Sequence, residues 1–432
     1  MYLTGWGKCS GIETKGFFIR SADLLRDYLK LPQDYIVYGM GRSYGDSALN
    51  ENTLLSGRFN KILHFDEQKG VVVCESGVTL SEIIDTFLPR GWFLPVVPGT
   101  KQITVGGAIA SDVHGKNHHK VGCFSEFVVS VELMLASGEI VSCSREQNQE
   151  LFYATCGGMG LTGIILTVTF CLQPIKSSYI RETIIRCGDL DEILGLFDEK
   201  QDATYSVGWI DCLARGRQLG RSVLMLGEHA NSGPLLREKP KTISIPVNLP
   251  GFILNKYSIA CFNKIYYESH PSFTEGRLVP LDNFFFPLDK INSWNRMYGR
   301  RGFTQYQFVL PKKGSYSGLR SILNKISETG FGSFLAVIKL FGKENNNYLS
   351  FPMEGYTIAL DFKIQPKLFP LLDELDYLVA DHGGRLYLAK DVRMRKEFCR
   401  KSYPRWELFS KMRQDLKMNN KFNSLQSRRL GL

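Results

Sequence analysis

The chain has 432 residues, 44% of them hydrophobic and 22% charged, enough for a large core and for two or three domains or subdomains. These proportions exclude a disordered or low-complexity chain, and no window reaches the roughly 18 uncharged apolar residues of a membrane-spanning helix. The stretch Met1-Tyr2-Leu3-Thr4-Gly5-Trp6 lacks the apolar core of a signal peptide. Ten cysteines carry no CxxC and no metal-ligand spacing, and several sit in apolar runs such as Val71-Val72-Val73-Cys74. That usage fits a reducing, cytosolic compartment. The net charge of +10 is uneven: Lys390 to Leu432 holds 13 Lys and Arg against 4 Asp and Glu, a balance of +9. Such a segment meets an anionic partner (nucleic acid, acidic lipid, a phosphorylated substrate) or is a solvated helix face.

In chain order, Tyr35–Tyr38 reads as a strand leading into Gly39-Met40-Gly41-Arg42-Ser43-Tyr44-Gly45-Asp46. Three glycines in seven residues after a strand suit a phosphate-cradling loop, and equally a plain turn. The spacing is not GxGxxG and no helix-forming run follows, which argues against a nicotinamide-binding Rossmann unit. Val71–Glu75 reads as a strand, and Thr79-Leu80-Ser81-Glu82 as a capping box opening a helix over Glu82–Leu88. The stretch from Pro98 to His119 holds a Pro-Gly turn, the Gly106-Gly107 pair, small residues and three of the seven histidines. Glycine lets backbone approach a ligand closely and present its N–H groups. His114 and His118 stand four apart, but no carboxylate or thiol cluster accompanies them beyond Asp112, so no metal is expected.

Phe127–Leu135 reads as a strand, followed by the glycine cluster Gly157-Gly158-Met159-Gly160 and a strand over Gly163–Phe170. Three glycine loops, each abutting an apolar strand, predict convergence around one extended ligand. After Pro174 the pattern predicts strands at Tyr205–Asp211, Ser222–Leu226, Thr304–Leu310, Leu335–Leu340 and Thr357–Phe362, with helices over Ser317–Ser327 and Pro366–Ala380. Those elements predict a mostly antiparallel sheet with helices on one side, an α+β fold. The segment 231–273, rich in Pro, Lys and aromatics including Phe252, Tyr257, Phe262, Tyr266 and Tyr267, is too long for an ordinary connection and reads as a mobile lid or interaction surface. From Arg385 the chain regains helical character.

Taken together, these three glycine blocks, with Trp92–Thr100, Gly5-Trp6-Gly7, Gly302–Val309 and Gly383–Asp391, resemble the decaprenylphosphoryl-β-D-ribose 2-oxidase family of the vanillyl-alcohol-oxidase superfamily. Asp112–His119 is the most specific block, and the agreement runs through most of the chain. The resemblance implies an FAD-binding domain from residues 1–176 and a returning segment 385–432, with a substrate-binding cap at 177–384 whose lid is 231–273. It implies FAD contacts from Gly39, Met40, Gly41, Arg42, Ser43, Tyr44, Gly45, Asp46, Ser47, Gly99, Thr100, Thr104, Val105, Gly106, Gly107, Ser111, Asp112, Val113 and His114. Ile164 and Tyr387 would lie nearer the rings. Many superfamily members tether FAD through a histidine where Arg42 stands here; arginine cannot form that bond, so FAD should be dissociable.

The implied chemistry is oxidation of a sugar secondary alcohol, with a base taking the hydroxyl proton while hydride leaves for flavin. Lys390 stands where the family has its essential lysine, and Lys339 matches a second pocket lysine; a lysine serves as base only if burial or a neighbouring cation lowers its pKa from about 10.4. Two lysines in one cavity would depress each other and could clamp a phosphate. On residue type alone, Lys390 is also one more cation of the basic tail, and Lys339 a strand lysine reaching for solvent. Tyr44 and His114 read as walls around flavin and sugar, with Gln307 and Tyr298 as polar contacts in the cap. Actinobacterial members carry asparagine and cysteine where Thr357 and Ala359 stand, which alters the shape of the sugar pocket. The expected activity is oxidation of a polyprenyl-phosphate-linked pentose at C2 to a 2-keto sugar, with an NAD(P)H-dependent short-chain reductase as partner in 2-epimerisation toward an arabinose donor. The runner-up is oxidation of a free sugar, alditol or aldonolactone. A nucleic-acid-binding role rests on the tail alone and leaves the glycine loops unexplained. Segment 242–267 and the tail predict peripheral contact with the inner membrane from the cytoplasmic side.

Overall fold

The computed structural model describes residues 1–237 and 242–432, so four positions of the expected lid segment lie outside the described residues. A three-stranded and a five-stranded sheet carry the first half. Lys15–Phe18 (β1), Ile36–Tyr38 (β2) and Asn52–Leu55 (β3) make a parallel sheet in the order β1-β3-β2. Ile62–Asp66 (β4), Val71–Glu75 (β5), Val128–Met134 (β6), Ile140–Ser144 (β7) and Ile164–Cys171 (β8) make an antiparallel sheet ordered β7-β6-β8-β5-β4. Helix α1 (Leu80–Phe87) starts at the expected capping box: Thr79 Oγ1 accepts from the Glu82 amide, and the Glu82 carboxylate accepts from the Thr79 amide. Its Ile83, Ile84 and Phe87 bury against Val72, Val131, Val168 and Phe170 of the sheet. The six-residue helix α2 (Val105–Ala110) follows inside the second glycine block.

The second half is one eight-stranded sheet. Its strands are Tyr179–Cys187 (β9), Tyr205–Ile210 (β10), Ser222–His229 (β11), Phe273–Pro280 (β12), Phe303–Pro311 (β13), Ala336–Phe341 (β14), Gly355–Lys363 (β15) and Arg385–Leu386 (β16), ordered β12-β9-β11-β10-β14-β15-β13-β16. Helices α3 (Lys256–Ser269), α4 (Ser315–Thr329) and α5 (Leu368–Asp381) accompany it. The period of two divides its faces. Phe308, Ile338, Ile358 and Leu360 point into a core closed by Leu319, Ile322, Leu375 and Val379 of α4 and α5. Their neighbours Gln305, Gln307, Lys339, Thr357, Ala359 and Asp361 point the other way, toward the first half. Mixed helix and antiparallel sheet is the α+β composition expected.

Three placements differ from the sequence reading. β9 and β12 pair with each other at the sheet edge, in stretches where no strand is expected; β12 is mostly exposed and carries Glu275, Gly276 and Arg277, so it lacks a continuous apolar face. Lys256–Ser269 is a helix rather than loop, capped by Asn255 and docked by buried Ile259 and Asn263, whose amide bonds Asp211 and the Ser333 carbonyl. Its aromatic and lysine-rich composition hides the periodicity. Arg385 and Leu386, expected to begin the returning segment, are hydrogen-bonded to β13 as a strand of the large sheet. Only afterwards does the chain rejoin the first half: Phe422 bridges to Tyr35, and Arg428 pairs with Asp34 and Glu51. Among the described residues no helix is long and apolar enough to cross a membrane.

Candidate active site

Between the two halves lies a cavity of about 1010 Å³, at the upper end of small-molecule and cofactor sites. All three glycine clusters reach it. Gly39–Ser43 and Gly99 come from loops of the first half, and Gly160 and Gly163 from the third cluster. Two of these loops interlock so closely that only glycine fits: a Cβ on Gly39 would stand 2.7 Å from Thr104 Oγ1, and one on Gly106 would stand 2.9 Å from Ser76 Cβ. Gly99 has open space where a side chain would be. Thr104 caps α2 by accepting from the Gly107 amide at 3.0 Å. Backbone therefore faces the cavity along a considerable length, as an extended anionic ligand requires.

Most of the residues singled out in the sequence meet here. Gly39, Met40, Gly41, Arg42, Ser43, Tyr44, Ser47, Gly99, Thr100, Thr104, Gly106, Gly107, Ser111, Val113, His114 and Tyr387 line the wall from one side, and Gln307, Lys339, Thr357, Ala359 and Lys390 from the other. Six do not. Gly45 is pressed against the Asp391 carbonyl. Asp46 pairs with Arg429 at 2.8 Å. Val105 and Ile164 are core residues; strand parity turns Ile165, not Ile164, to the cavity. Tyr298 backs the wall instead of forming it, stacked on Phe303 at 4.2 Å and on Phe334 at 5.6 Å. Asp112 is fully buried at φ +40, where its carboxylate accepts from the Ser125 amide (3.3 Å), Asn345 (2.8 Å), Asn347 (2.7 Å) and Ser350 (2.6 Å). It ties the second glycine block to the 345–350 loop and so aims Ser111, Val113 and His114 inward.

The electrostatics follow from burial. The Lys390 ammonium nitrogen stands 3.8 Å over the Tyr44 ring. Burial lowers its pKa, the Asp361 carboxylate opposes that, and Lys339 adds to it. Lys339 is lowered to about 8 by burial. His114 is held well below its ordinary value by burial, then by Lys339, so its ring is neutral and its Nε2 accepts from Gln307 at 3.1 Å. His118 accepts from the Gly342 amide, and His119 donates to the Ala203 carbonyl, so the three histidines serve different elements.

Three cavity residues escape the sequence reading. Lys116 is half-buried, brought down to about 7 by desolvation and then by Lys339, and its ammonium donates to the Phe284 carbonyl. It stands inside the Asp112–His119 block two positions after His114, which is the signal that could have found it. Asp361 and Gln305 follow from strand alternation, two residues from Ala359 and Gln307, and they are register partners. Gln305 Nε2 donates to Asp361 Oδ1 at 2.6 Å and reaches Tyr44 Oη at 3.4 Å. Arg42 lies flat over Trp6, 4.0 Å from the ring centre.

An FAD binding domain family matches residues 21–144, the span that contains both interlocked loops. The site fits that cofactor: open glycine backbone for the phosphates, and Tyr387, Ile165 and the Tyr44 ring where the flavin rings need apolar walls. Over shorter stretches the chain resembles L-gulonolactone oxidase of Mus musculus, 32% identical over 148 residues that make up 34% of this chain and 33% of that protein. It is likewise 34% identical to the Delta(24)-sterol reductase of Homo sapiens over 115 residues, 27% of this chain and 22% of that protein. With the decaprenylphosphoryl-beta-D-ribose oxidase of Mycolicibacterium smegmatis the likeness is complete in length, 35% identity covering 100% of this chain and 97% of the relative. The chain belongs to the decaprenylphosphoryl-β-D-ribose oxidase family of FAD-dependent oxidoreductases.

Proposed function

We propose that this FAD-dependent oxidase acts on the C2 hydroxyl of a polyprenyl-phosphate-linked pentose, giving a 2-keto sugar. A separate NAD(P)H-dependent short-chain reductase would complete the 2-epimerisation toward an arabinose donor. The observation that carries this reading is the composition of the cavity on the side of the large sheet. Half-buried lysines (Lys116, Lys339, Lys390) adjoin an apolar arm lined by Val207, Trp209, Met225, Phe262, Tyr266 and Phe334. Cations beside an apolar arm match a ligand with a sugar, a phosphate and a hydrocarbon chain in sequence.

FAD, when bound, supplies the hydride acceptor, held non-covalently because Arg42 replaces the tethering histidine. Lys390, whose hold on its proton burial weakens, takes the hydroxyl proton as hydride leaves the carbinol carbon. His114, neutral and fixed by Gln307, and Tyr44 hold the sugar ring between them. Lys339, with Lys116 next to it in the charge balance, neutralises the phosphate. Peripheral attachment to an anionic membrane supports delivery of such a substrate: Phe252, Tyr257 and Ile265 are 79%, 74% and 61% exposed, and Lys256 and Lys264 stand among them.

Anaerobic bleaching of the flavin tests the reading, using lipid-phosphate pentoses beside free alditols and aldonolactones. Rapid reduction by a lipid-phosphate ribose, with slow or absent reduction by the free sugars, is the expected outcome. The opposite ranking would assign the enzyme to free-sugar oxidation, for which the partial likeness to L-gulonolactone oxidase speaks.

A further inference from the structure

Asp361 is the one acidic side chain that the large sheet's central strands turn into the cavity beside the proposed base. It is 2% exposed, on β15, and directly opposite Gln305 in register. Its backbone is fixed from behind, the amide donating to Ser333 Oγ at 3.0 Å and to the Leu335 carbonyl at 3.3 Å. Its carboxyl group has one neutral donor, Gln305 Nε2 at 2.6 Å. One amide hydrogen bond compensates a buried carboxylate only in part, so a positive charge arising nearby is favoured. The same Gln305 amide reaches the Tyr44 hydroxyl, and the Tyr44 ring carries the Lys390 ammonium 3.8 Å from its centre. Asp361, Gln305, Tyr44 and Lys390 thus form one continuous wall.

We propose that Asp361 is a positioning residue that acts on Lys390 across the wall it shares with Gln305 and Tyr44, favouring the protonated amine there. The charged and titratable groups facing Lys390 are Asp361 on β15, Lys339 on β14, His114 on the second glycine block and Tyr44 on the first. Of these only Asp361 favours the ammonium; Lys339 opposes it, and burial opposes it more. Burial in turn raises the Asp361 carboxyl, while Gln305 and Lys390 lower it. In the reaction the substrate O–H bond would break toward Lys390 while the C–H bond pair leaves as hydride, for which bound FAD would be the acceptor, and the carbonyl would form. The positive charge that appears on Lys390 then meets the Asp361 carboxylate, which stabilises it without a protein rearrangement.

This rests on the reading of Lys390 as the proton acceptor, but its test needs no substrate. In the holoenzyme, the rate at which 1-fluoro-2,4-dinitrobenzene labels Lys390 is followed against pH by peptide mass spectrometry. Asp361→Asn removes the one group that favours the ammonium, so the labelling midpoint should fall by about one pH unit or more. Asp361→Glu should return it toward the wild-type value. Lys339→Met removes an opposing cation and should raise it. Gln305→Met weakens the hold on the carboxylate and should lower the midpoint in the same direction as Asp361→Asn, which keeps the test alive if that variant does not fold. The acid limb of the pH profile for flavin reduction should move with the labelling midpoint. An unchanged midpoint in a folded Asp361→Asn, or in Gln305→Met, overturns the proposal whatever the enzyme's substrate proves to be. A purely structural role would lower the thermal midpoint and leave the labelling midpoint in place.

Discussion

As the proposed base, Lys390 must give up its own proton first, and burial moves its pKa in that direction. Lys390→Ala is therefore expected to retain FAD and to slow flavin reduction by substrate by about 10²–10⁴-fold, the usual range for loss of a general base. Single-turnover absorbance measurements check this, and near-normal reduction would remove Lys390 from the role. Lys339→Ala should raise the substrate KM at least tenfold with a smaller change in kcat, because an anion contact made equally in ground and transition states is lost. At Arg42 the expectation concerns the cofactor. Its guanidinium stacks on Trp6 and forms no covalent bond, so denaturation and filtration should separate all flavin from the polypeptide. Flavin absorbance remaining on the denatured chain would show another point of attachment.

At the scale of elements, the glycine block and the large sheet are joined through Asp112. Its carboxylate collects four donors from two segments at a left-handed backbone position that asparagine tolerates and alanine resists. Asp112→Ala should cost about 2–4 kcal/mol, since buried donors lose a charged acceptor, and should weaken FAD binding. Asp112→Asn should cost less because it keeps the backbone geometry and one acceptor oxygen. Urea denaturation together with flavin titration separates the two effects; equal losses from both variants would argue that charge alone matters. Strand alternation explains why Ile165 rather than Ile164 meets the cavity and why Gln305 and Asp361 belong with Gln307 and Ala359. A shift of one residue along a strand turns a side chain to the opposite face.

Across the whole molecule, the basic end of the chain is largely spoken for. Arg429 bridges Asp46 and Asp391, Arg428 bridges Asp34 and Glu51, and Arg393 bridges Asp373 and Asp376. Buried Arg413 donates to the carbonyls of Leu161 and Phe422. Arg428 and Arg429 fasten the returning segment to the first half and Arg393 ties it to α5, so Arg429→Ala should destabilise by about 3 kcal/mol by leaving the Asp46 and Asp391 carboxylates without their cation. A thermal midpoint within a degree of wild type would refute that. The same pairing makes Arg428 and Arg429 poor candidates for lipid contact. The expected salt-sensitive binding to anionic vesicles should instead weaken in a Lys256→Ser, Lys264→Ser double variant and in Phe252→Ser. Equal sedimentation of all forms with neutral and anionic vesicles would dispose of the membrane contact.

How much of this was legible in the chain depends on the range of the interaction. Local rules determined the capping box at Thr79, the strands at Val71–Glu75 and Thr357–Phe362 to within a few residues, and the glycine loops, because turns, caps and alternation act over four or five positions. The motif blocks carried the family and the two lysines. Helix 256–269 stayed hidden because its docking relies on Asn263 and Ile259 meeting distant residues, not on a clean apolar stripe. The resemblance implied ligand contacts at Asp46 and Asp112, yet each is engaged by partners far along the chain, and Tyr298 is taken up by the Phe303 and Phe334 rings. Lys390 and Asp361 stand close only because β15 and the returning segment meet on one wall. A sequence by itself determines which local conformations are cheap and which chemistry is available. Burial, and the pKa shifts it causes, belongs to tertiary structure, since water is excluded only when separate segments close over the same space.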